Sequence, residues 1–296
     1  MITGILPAMI TPRRADSVEI DPARALELVD FLVDRGVDGI TLFGSTGEFP
    51  HFTPEDRMRL ARMAIKRSRV PVLVNASHSA LDGAVEIAQD AIDAGAAGLL
   101  IMAPYYFRYT QDSIRAFCLE FAARVKAPVF LYNIPQFTSE IAVETAVDLL
   151  ASGAFAGIKD SSGRWENIEK LRATGLAVYC GADPQYSRAA RAGIAGAISG
   201  TASVAPELMV SVDRLSRAGE DTAALDAQVA EFNQRAMSFP FPIAFREALR
   251  MRGIDPGPDA APLGADESKR MEEFRAWFRD WIKTATQPQM HADSRR

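Results

Sequence analysis

Short apolar runs alternate along this chain with longer stretches in which apolar and polar positions repeat at helical spacing. The apolar runs begin near eight positions: Ile5, Gly39, Val70, Gly98, Pro128, Phe155, Ala177 and Gly196. Runs of this length, bounded by polar or Gly residues, are typical of buried strands. The intervals between them each accommodate a strand, a crossover helix and two loops, which is the parallel βαβ unit.

Eight consecutive units of this kind predict an α/β protein built as a (β/α)8 TIM barrel, and they disfavour an open doubly wound sheet. Helix start signals agree with this, because Asp21 and Thr53 each precede a Pro and can cap the helix that follows. No linker rich in Gly, Ser or Pro interrupts the series. We therefore expect residues 1–202 to form one catalytic barrel domain.

After Gly200 the chain shows helical patterns only, over Pro206–Ala218, Thr222–Met237, Pro242–Met251 and Asp266–Thr284. We expect residues 203–284 to form an all-helical extension that packs on the barrel or on a neighbouring subunit. Residues 285–296 are mostly polar and are expected to form a disordered tail.

Composition narrows the choice of partners and location. The chain has 296 residues, is 48% hydrophobic and carries a net charge of -5, with no face dense in Lys or Arg. We therefore expect it to bind neither nucleic acid nor an anionic membrane. Two cysteines make no disulfide framework, the N-terminus lacks the pattern of a secretory signal, and no apolar stretch approaches the roughly 20 residues of a membrane span. A cytoplasmic protein is the expectation.

Lys159 is the first candidate for chemistry, because it closes the apolar run from Ala154 to Ile158. At the end of a buried strand its amine would lie at the mouth of a pocket with an apolar wall behind it. Burial disfavours the ammonium form, so the amine becomes a candidate nucleophile toward a carbonyl. An ordinary solvated lysine at a strand end is the alternative.

The other strand ends carry further polar motifs, and active sites of such barrels lie at the C-terminal ends of the strands. The motifs are Gly44-Ser45-Thr46-Gly47-Glu48, Pro104-Tyr105-Tyr106, Tyr132-Asn133-Ile134-Pro135, Gly181-Ala182-Asp183 and Ser199-Gly200-Thr201. In the first, the hydroxyls and backbone amides can converge on an anion. A phosphate is disfavoured, because no Gly-Lys-Ser/Thr follows and Glu48 would repel it.

Histidines and tyrosines have plainer interpretations as well. The three histidines have no carboxylate or cysteine cluster around them in the sequence, so we predict no metal site. His78, which follows the third strand, can either line the pocket or serve as a loop residue. A Tyr at a strand end is often a packing residue.

Taken together, four motifs in order, Gly-Ser-Thr-Gly-Glu, Pro-Tyr-Tyr, Tyr-Asn-Ile-Pro and Gly-Ile-Lys-Asp, resemble the dihydrodipicolinate synthase and N-acetylneuraminate lyase family. These are class I, Schiff-base-forming, pyruvate-dependent aldolases on a (β/α)8 barrel. The resemblance extends from about Gly4 to about residue 284. It implies that Lys159 forms an imine with the C2 carbonyl of a 2-oxo acid and that Tyr132 passes protons beside it. No cofactor is then required, since the imine itself accepts electrons.

The resemblance also implies how pyruvate is held and how subunits cooperate. Ser45, Thr46 and Gly47 would bind the pyruvate carboxylate. Tyr106 would reach into a neighbouring subunit and complete a proton relay with Thr46 and Tyr132. The catalytic set would thus be Lys159, Tyr132, Tyr106 and Thr46, in a homodimer or homotetramer.

The motifs leave more than one co-substrate open. Synthases of the family usually carry an arginine where this chain has Phe137, and a phenyl ring cannot clamp a carboxylate. Neuraminate lyases share Asp183, which binds sugar hydroxyls there, but they differ at Pro184 and Gly200. The segment Gly47-Glu48-Phe49-Pro50 looks more like aldolases for 4-hydroxy-2-oxoglutarate and for 2-keto-3-deoxy sugar acids.

We therefore expect a carbon–carbon lyase that cleaves or makes a short 2-oxo acid from pyruvate and an aldehyde. Phe137, Asp183, Ile198 and His78 are the side chains expected near the rest of the substrate. Dihydrodipicolinate synthase, N-acetylneuraminate lyase and dehydratase-type relatives stay open as alternatives. So does a protein that binds a 2-oxo acid without turning it over, although such a binder needs neither Lys159 nor Tyr132.

Overall fold

Eight parallel strands form the centre of the molecule in the computed structural model, which describes residues 2–285. They are β1 (Gly4–Pro7), β2 (Ile40–Leu42), β3 (Val72–Asn75), β4 (Gly98–Met102), β5 (Val129–Asn133), β6 (Gly157–Asp160), β7 (Ala177–Cys180) and β8 (Gly196–Ser199). Each begins within two residues of the position that the apolar runs predict. Every strand residue is buried, as expected for strands covered on both faces.

The strands close into a barrel in the order β1-β8-β7-β6-β5-β4-β3-β2. The two strands at the ends of this order, β1 and β2, are joined by a parallel bridge between Ala8 and Thr41. The Met9 amide donates to the Thr41 carbonyl at 2.9 Å. The predicted (β/α)8 barrel is therefore confirmed.

Seven helices alternate with the strands: α1 (Pro22–Val33), α2 (Pro54–Arg67), α3 (Leu81–Asp93), α4 (Gln111–Arg124), α5 (Val143–Ala151), α6 (Trp165–Arg172) and α7 (Tyr186–Arg191). The two predicted caps are present: an Asp21 side-chain oxygen accepts from the Ala23 amide, and Thr53 Oγ1 accepts from the Asp56 amide at 3.1 Å. These bonds satisfy amides that the helix itself leaves unpaired.

Four more helices follow β8, as the sequence predicts: α8 (Pro206–Ala218), α9 (Ala223–Ala236), α10 (Ile243–Met251) and α11 (Ala265–Ala285). Their aromatic side chains pack together, with Phe232 stacked 5.1 Å from Trp281 and edge-on at 5.2 Å to Phe245. Asn233 of α9 donates to Thr201 Oγ1 at 2.9 Å, which joins the helical extension to the loop after β8.

The predicted tail lies outside the described residues, apart from Ala285, which ends α11. The division of the chain near residue 202 stays a prediction. Within residues 2–285, no helix has the length and apolar character required to cross a membrane.

Candidate active site

Lys159 is buried at the C-terminal end of β6, with 4% of its surface exposed, so the interpretation as a solvated strand-end lysine is wrong. Its register partner on β5 is Tyr132. The Lys159 Nζ atom lies 4.3 Å from the centroid of the Tyr132 ring. Strand pairing therefore places the two predicted catalytic side chains next to each other.

The Tyr132 hydroxyl contacts the loop after β2. Its oxygen lies 3.1 Å from Ser45 Oγ, so a short chain of polar groups runs from Ser45 through Tyr132 toward Lys159. The hydroxyl bonded to Tyr132 thus belongs to Ser45, whereas the proton relay was predicted through Thr46. Thr46 is buried beside Gly200, and its catalytic role stays a prediction.

A cavity of about 590 Å³ opens above these residues. The predicted site residues on its wall are Ser45, Thr46, Tyr132, Phe137, Lys159, Asp183 and Ile198. They come from the ends of five strands and from the loops that follow them. A volume of this size is typical of small-molecule sites.

Gly47 does not line this cavity. A Cβ atom at this position would lie 2.8 Å from the Met9 carbonyl and 3.2 Å from Thr11 Oγ1. The residue is glycine because the loop packs against the backbone that follows β1. The prediction that Gly47 contacts substrate with its neighbours is therefore not supported by its position.

His78 also lies outside the cavity, which corrects its predicted place near the substrate. Its Nδ1 atom accepts a hydrogen bond from the Ala80 amide at 3.0 Å, at the start of α3. Ala80 precedes the helix and has no polar side chain for capping, so the imidazole supplies an acceptor there. Of the two interpretations, His78 as a loop residue is the one observed.

Tyr106 lines a second cavity of about 370 Å³, which shares Ser45, Phe137 and Phe241 with the first. Tyr106 is 89% exposed and has a φ of 81°, a left-handed conformation that non-glycine residues rarely adopt. Within the described chain, no hydrogen bond joins it to Ser45 or Tyr132. The single chain therefore leaves its ring facing outward.

Asp183 is buried at the start of the loop after β7. One carboxylate oxygen accepts from the Thr201 amide at 2.8 Å, while Oδ1 has no partner in the described residues. Burial raises the pKa of this carboxyl, and the bonds to Thr201 offset the rise only in part. The unpartnered oxygen is itself buried, so Asp183 contributes to the wall of the cavity through its other atoms.

Glu48, the last residue of the first motif, anchors that loop from beneath. It lies 3.0 Å from Arg13 and 3.0 Å from Arg246, and both guanidinium groups are fully buried. In the sequence, Glu48 disfavours a phosphate ligand and belongs to the family motif, but neither role predicts an ion pair. No local signal pairs it with Arg246, because that residue is 198 positions away.

Several cavity residues come from the helical extension, to which the sequence analysis assigned only a packing role. They are Ala230, Asn233, Gln234, Met237, Phe241 and Phe245. The extension therefore completes the wall of the cavity above the barrel.

Within residues 2–285, no group of three or more His, Cys, Asp or Glu side chains is arranged to hold a metal ion.

Comparison with known proteins agrees with this geometry. Residues 1–280 match the model of the dihydrodipicolinate synthetase family. A 4-hydroxy-tetrahydrodipicolinate synthase of Salinibacter ruber is 37% identical over 206 residues, which cover 67% of this chain and 68% of that protein.

Two solved structures with the same fold are of enzymes with different activities. A dihydrodipicolinate synthase of Acinetobacter baumannii, complexed with pyruvate, superimposes with a TM-score of 0.87 at 28% identity over 96% of this chain and 99% of that one. A 2-keto 3-deoxygluconate aldolase of Picrophilus torridus superimposes with a TM-score of 0.81 at 25% identity, over 89% of this chain and 97% of that one.

Proposed function

Because the chain belongs to the dihydrodipicolinate synthetase family of lyases and aldolases, we propose that it cleaves or makes a 4-hydroxy-2-oxo acid from pyruvate and an aldehyde, through a Schiff base on Lys159. The observation that carries the proposal is the buried Lys159 amine, 4.3 Å from the Tyr132 ring, whose hydroxyl is 3.1 Å from Ser45. This is a buried amine beside a proton donor at the base of a cavity.

The first step forms the imine. The Lys159 amine adds to the C2 carbonyl of the substrate, and the resulting hydroxyl leaves as water after it takes a proton from Tyr132. The loop with Ser45 and Thr46 holds the carboxylate, which orients C2 toward the amine. The related Acinetobacter baumannii enzyme was solved in complex with pyruvate, which supports a 2-oxo acid as the ligand of this site.

The second step breaks the C3–C4 bond. The Tyr132 phenolate takes the proton of the C4 hydroxyl, the aldehyde leaves, and the bonding electron pair moves into the protonated imine to give an enamine. Protonation at C3 and hydrolysis by water release pyruvate and restore Lys159. The imine serves as the electron sink, so the proposal includes no cofactor.

Borohydride trapping tests the proposal directly. With pyruvate and borohydride, the protein should gain one reduced pyruvate per chain, located on Lys159 by peptide mass. Lys159→Arg should give no adduct, because a guanidinium stays protonated and is not nucleophilic. Lys170→Arg, at an exposed lysine paired with Glu144, is the control that should keep the adduct. Label on another lysine would contradict the mechanism.

Synthesis of 4-hydroxy-tetrahydrodipicolinate is the second candidate, favoured by the name of the Salinibacter ruber relative. Its aldehyde, aspartate semialdehyde, carries a carboxylate, and Phe137 occupies the wall where that group needs a cation. Arg108, after β4, is a basic residue that could supply this cation from elsewhere in the chain, but it does not line either cavity, and its guanidinium lies 3.5 Å from the Thr138 carbonyl. Rates of pyruvate release and of condensation, measured on one sample, separate the two activities.

Two kinds of aldehyde half are compatible with this mechanism. The aldehyde half of 4-hydroxy-2-oxoglutarate carries a carboxylate, whereas that of a 2-keto-3-deoxy sugar acid carries hydroxyls. The Picrophilus torridus aldolase supports the uncharged class. A protein that only binds 2-oxo acids needs no imine, so it would show neither the Lys159 adduct nor turnover of any of these substrates.

A further inference from the structure

The outer wall of the large cavity is aromatic. The rings of Phe137 and Phe241 lie 5.6 Å apart with an interplanar angle of 38°, and Phe241 meets Phe245 at 5.5 Å. Ile134 and Met237 extend the same wall. Phe137 is 50% exposed, so one part of its ring is open to a ligand. A further ring placed here would reach the 4.5–7 Å range in which aromatic pairs attract each other.

Charge is absent from this end of the cavity. Among the described residues that line it, Lys159 and Asp183 are the ones whose side chains carry charge in the ordinary state. Under the proposed function Lys159 becomes the imine, and the loop with Ser45 holds the pyruvate carboxylate. No cation then remains for an acid group on the aldehyde half, and an unpaired buried carboxylate is strongly disfavoured.

Two of the amide side chains that line the cavity are already engaged in hydrogen bonds within the protein. The Asn233 amide nitrogen donates to Thr201 Oγ1 and to the Val229 carbonyl, both at 2.9 Å, and the Gln136 amide nitrogen donates to the Ser161 carbonyl at 3.0 Å. Asp183 Oδ1 has no partner either, but the atom is itself buried and offers no surface to a ligand. Hydroxyls seated against the wall of Phe137 and Phe241 would therefore exchange water for phenyl rings and lose hydrogen bonds.

We infer that the aldehyde half is an aryl aldehyde or a similarly flat, uncharged aldehyde, seated against Phe137 and Phe241. This inference rests on the proposed aldolase function and names its substrate class. The cleaved molecule is then a 4-aryl-4-hydroxy-2-oxobutanoate. Its C3–C4 bond breaks, the C4 hydroxyl oxygen becomes the aldehyde carbonyl, and C3 keeps the electron pair and is protonated to give pyruvate.

Aldol addition of pyruvate to three aldehydes tests the inference. Benzaldehyde, glyceraldehyde and glyoxylate represent the aryl, hydroxylated and acidic classes, and KM for each aldehyde is measured at saturating pyruvate. We expect the KM for benzaldehyde to be at least about tenfold below the other two, since ring contacts add to apolar burial. KM is the informative quantity, because the three carbonyls differ in intrinsic reactivity and therefore in kcat.

Variants at Phe137 separate the ring contact from a general structural effect. Phe137→Ala should raise the KM for benzaldehyde about tenfold while pyruvate trapping and the KM for pyruvate stay unchanged. Phe137→Tyr keeps the ring and should keep the low KM. Met63→Ala truncates an exposed apolar side chain on α2, away from both cavities, and should change neither KM.

The outcomes distinguish this inference from the proposed function. Without a pyruvate adduct the aldolase function itself fails. With the adduct present, a KM for benzaldehyde equal to that for glyceraldehyde, or one unmoved in Phe137→Ala, overturns the aryl assignment alone. The same holds if Phe137→Ala changes the molar mass by light scattering but not the KM, because the ring then packs against a second copy.

Discussion

The amine of Lys159 faces the Tyr132 ring and, among the described residues, forms no ion pair, although the buried Asp183 carboxyl interacts with it electrostatically. The carboxylate of its sequence neighbour Asp160 is engaged in other bonds: one oxygen accepts from Asn133 at 2.7 Å and the other from Ser162 at 2.6 Å. The fold thus keeps the Asp160 carboxylate out of an ion pair with Lys159.

Tyr132→Phe should lower kcat by about 10² to 10⁴, because it removes one positioned proton donor. The phenyl ring keeps the packing around Lys159, so pyruvate binding and the urea unfolding midpoint should change little. Tyr179→Phe is the control. The Tyr179 hydroxyl donates to the carbonyl of Ile2, which precedes β1, at 2.7 Å, and Tyr179 does not line the cavity. A near-normal kcat in Tyr132→Phe would remove the proton-transfer role.

Asp183 predicts a pH effect on stability. Burial raises the pKa of this carboxyl above its usual 3.8, so the folded state binds its proton more tightly than the unfolded state. Its favourable contribution is full below pH about 4 and is lost as pH rises through the folded pKa. Asp183→Asn lacks this loss, so its unfolding free energy relative to the native protein should increase in urea titrations as the pH rises from about 4 through the folded pKa. A constant difference would contradict this.

At the scale of single elements, the ends of β6 and β7 pack so closely that the residue after β7 has no room for a side chain. A Cβ at Gly181, just after β7, would overlap Ser161 Oγ and would lie 2.9 Å from Lys159 Cε. The backbone thus comes close to the lysine stem and fixes the path by which the amine reaches the cavity. Two neighbouring strand ends cooperate in positioning one side chain.

Gly181→Ala should therefore lower kcat at least about tenfold, because displacement of the lysine by even an ångström is costly in catalysis. The yield of the trapped pyruvate adduct per minute should fall with it. Gly264→Ala is the matched control, since its nearest contact would be 3.6 Å from a flexible Glu267 side chain and its backbone is unstrained. Full activity in Gly181→Ala would mean that the loop yields without moving Lys159.

At the scale of the whole molecule, distant segments meet around the site. Glu48 ties the loop of Ser45 and Thr46 to Arg246 on α10. The same helix carries Phe245, which faces the cavity. The loop that is proposed to hold pyruvate and the helix that covers it are thus joined by a buried ion pair, so a change in one is expected to reach the other.

Assembly is the prediction that belongs to this scale. The exposed rings of Tyr106 and Phe107, 4.9 Å apart, form an apolar surface beside the second cavity. We propose that a second copy covers them in a homodimer, or in a homotetramer of paired dimers. Light scattering should give two or four times the chain mass of 32.2 kDa. Tyr106→Phe should lower kcat and leave this molar mass unchanged. An active monomer would contradict this role.

Local pattern in the sequence determined the elements of this protein and much of its site. The spacing of apolar positions locates all eight strands and the four helices after them, because burial on a strand or a helix face repeats at a fixed interval. The motifs at the strand ends identify Lys159, Tyr132 and Ser45, since the barrel brings every such end to one face. The family follows from the same motifs.

Only the tertiary structure decided which of these groups touch. It turns His78 toward α3, packs Gly47 against the segment after β1, and puts Ser45 rather than Thr46 against the Tyr132 hydroxyl. It also brings Phe241 from the helical extension to Phe137, more than one hundred positions earlier in the chain. Periodicity records which face of an element is buried, but side-chain direction in loops and contacts between distant segments depend on how the elements pack, and the sequence pattern carries no local signal for them.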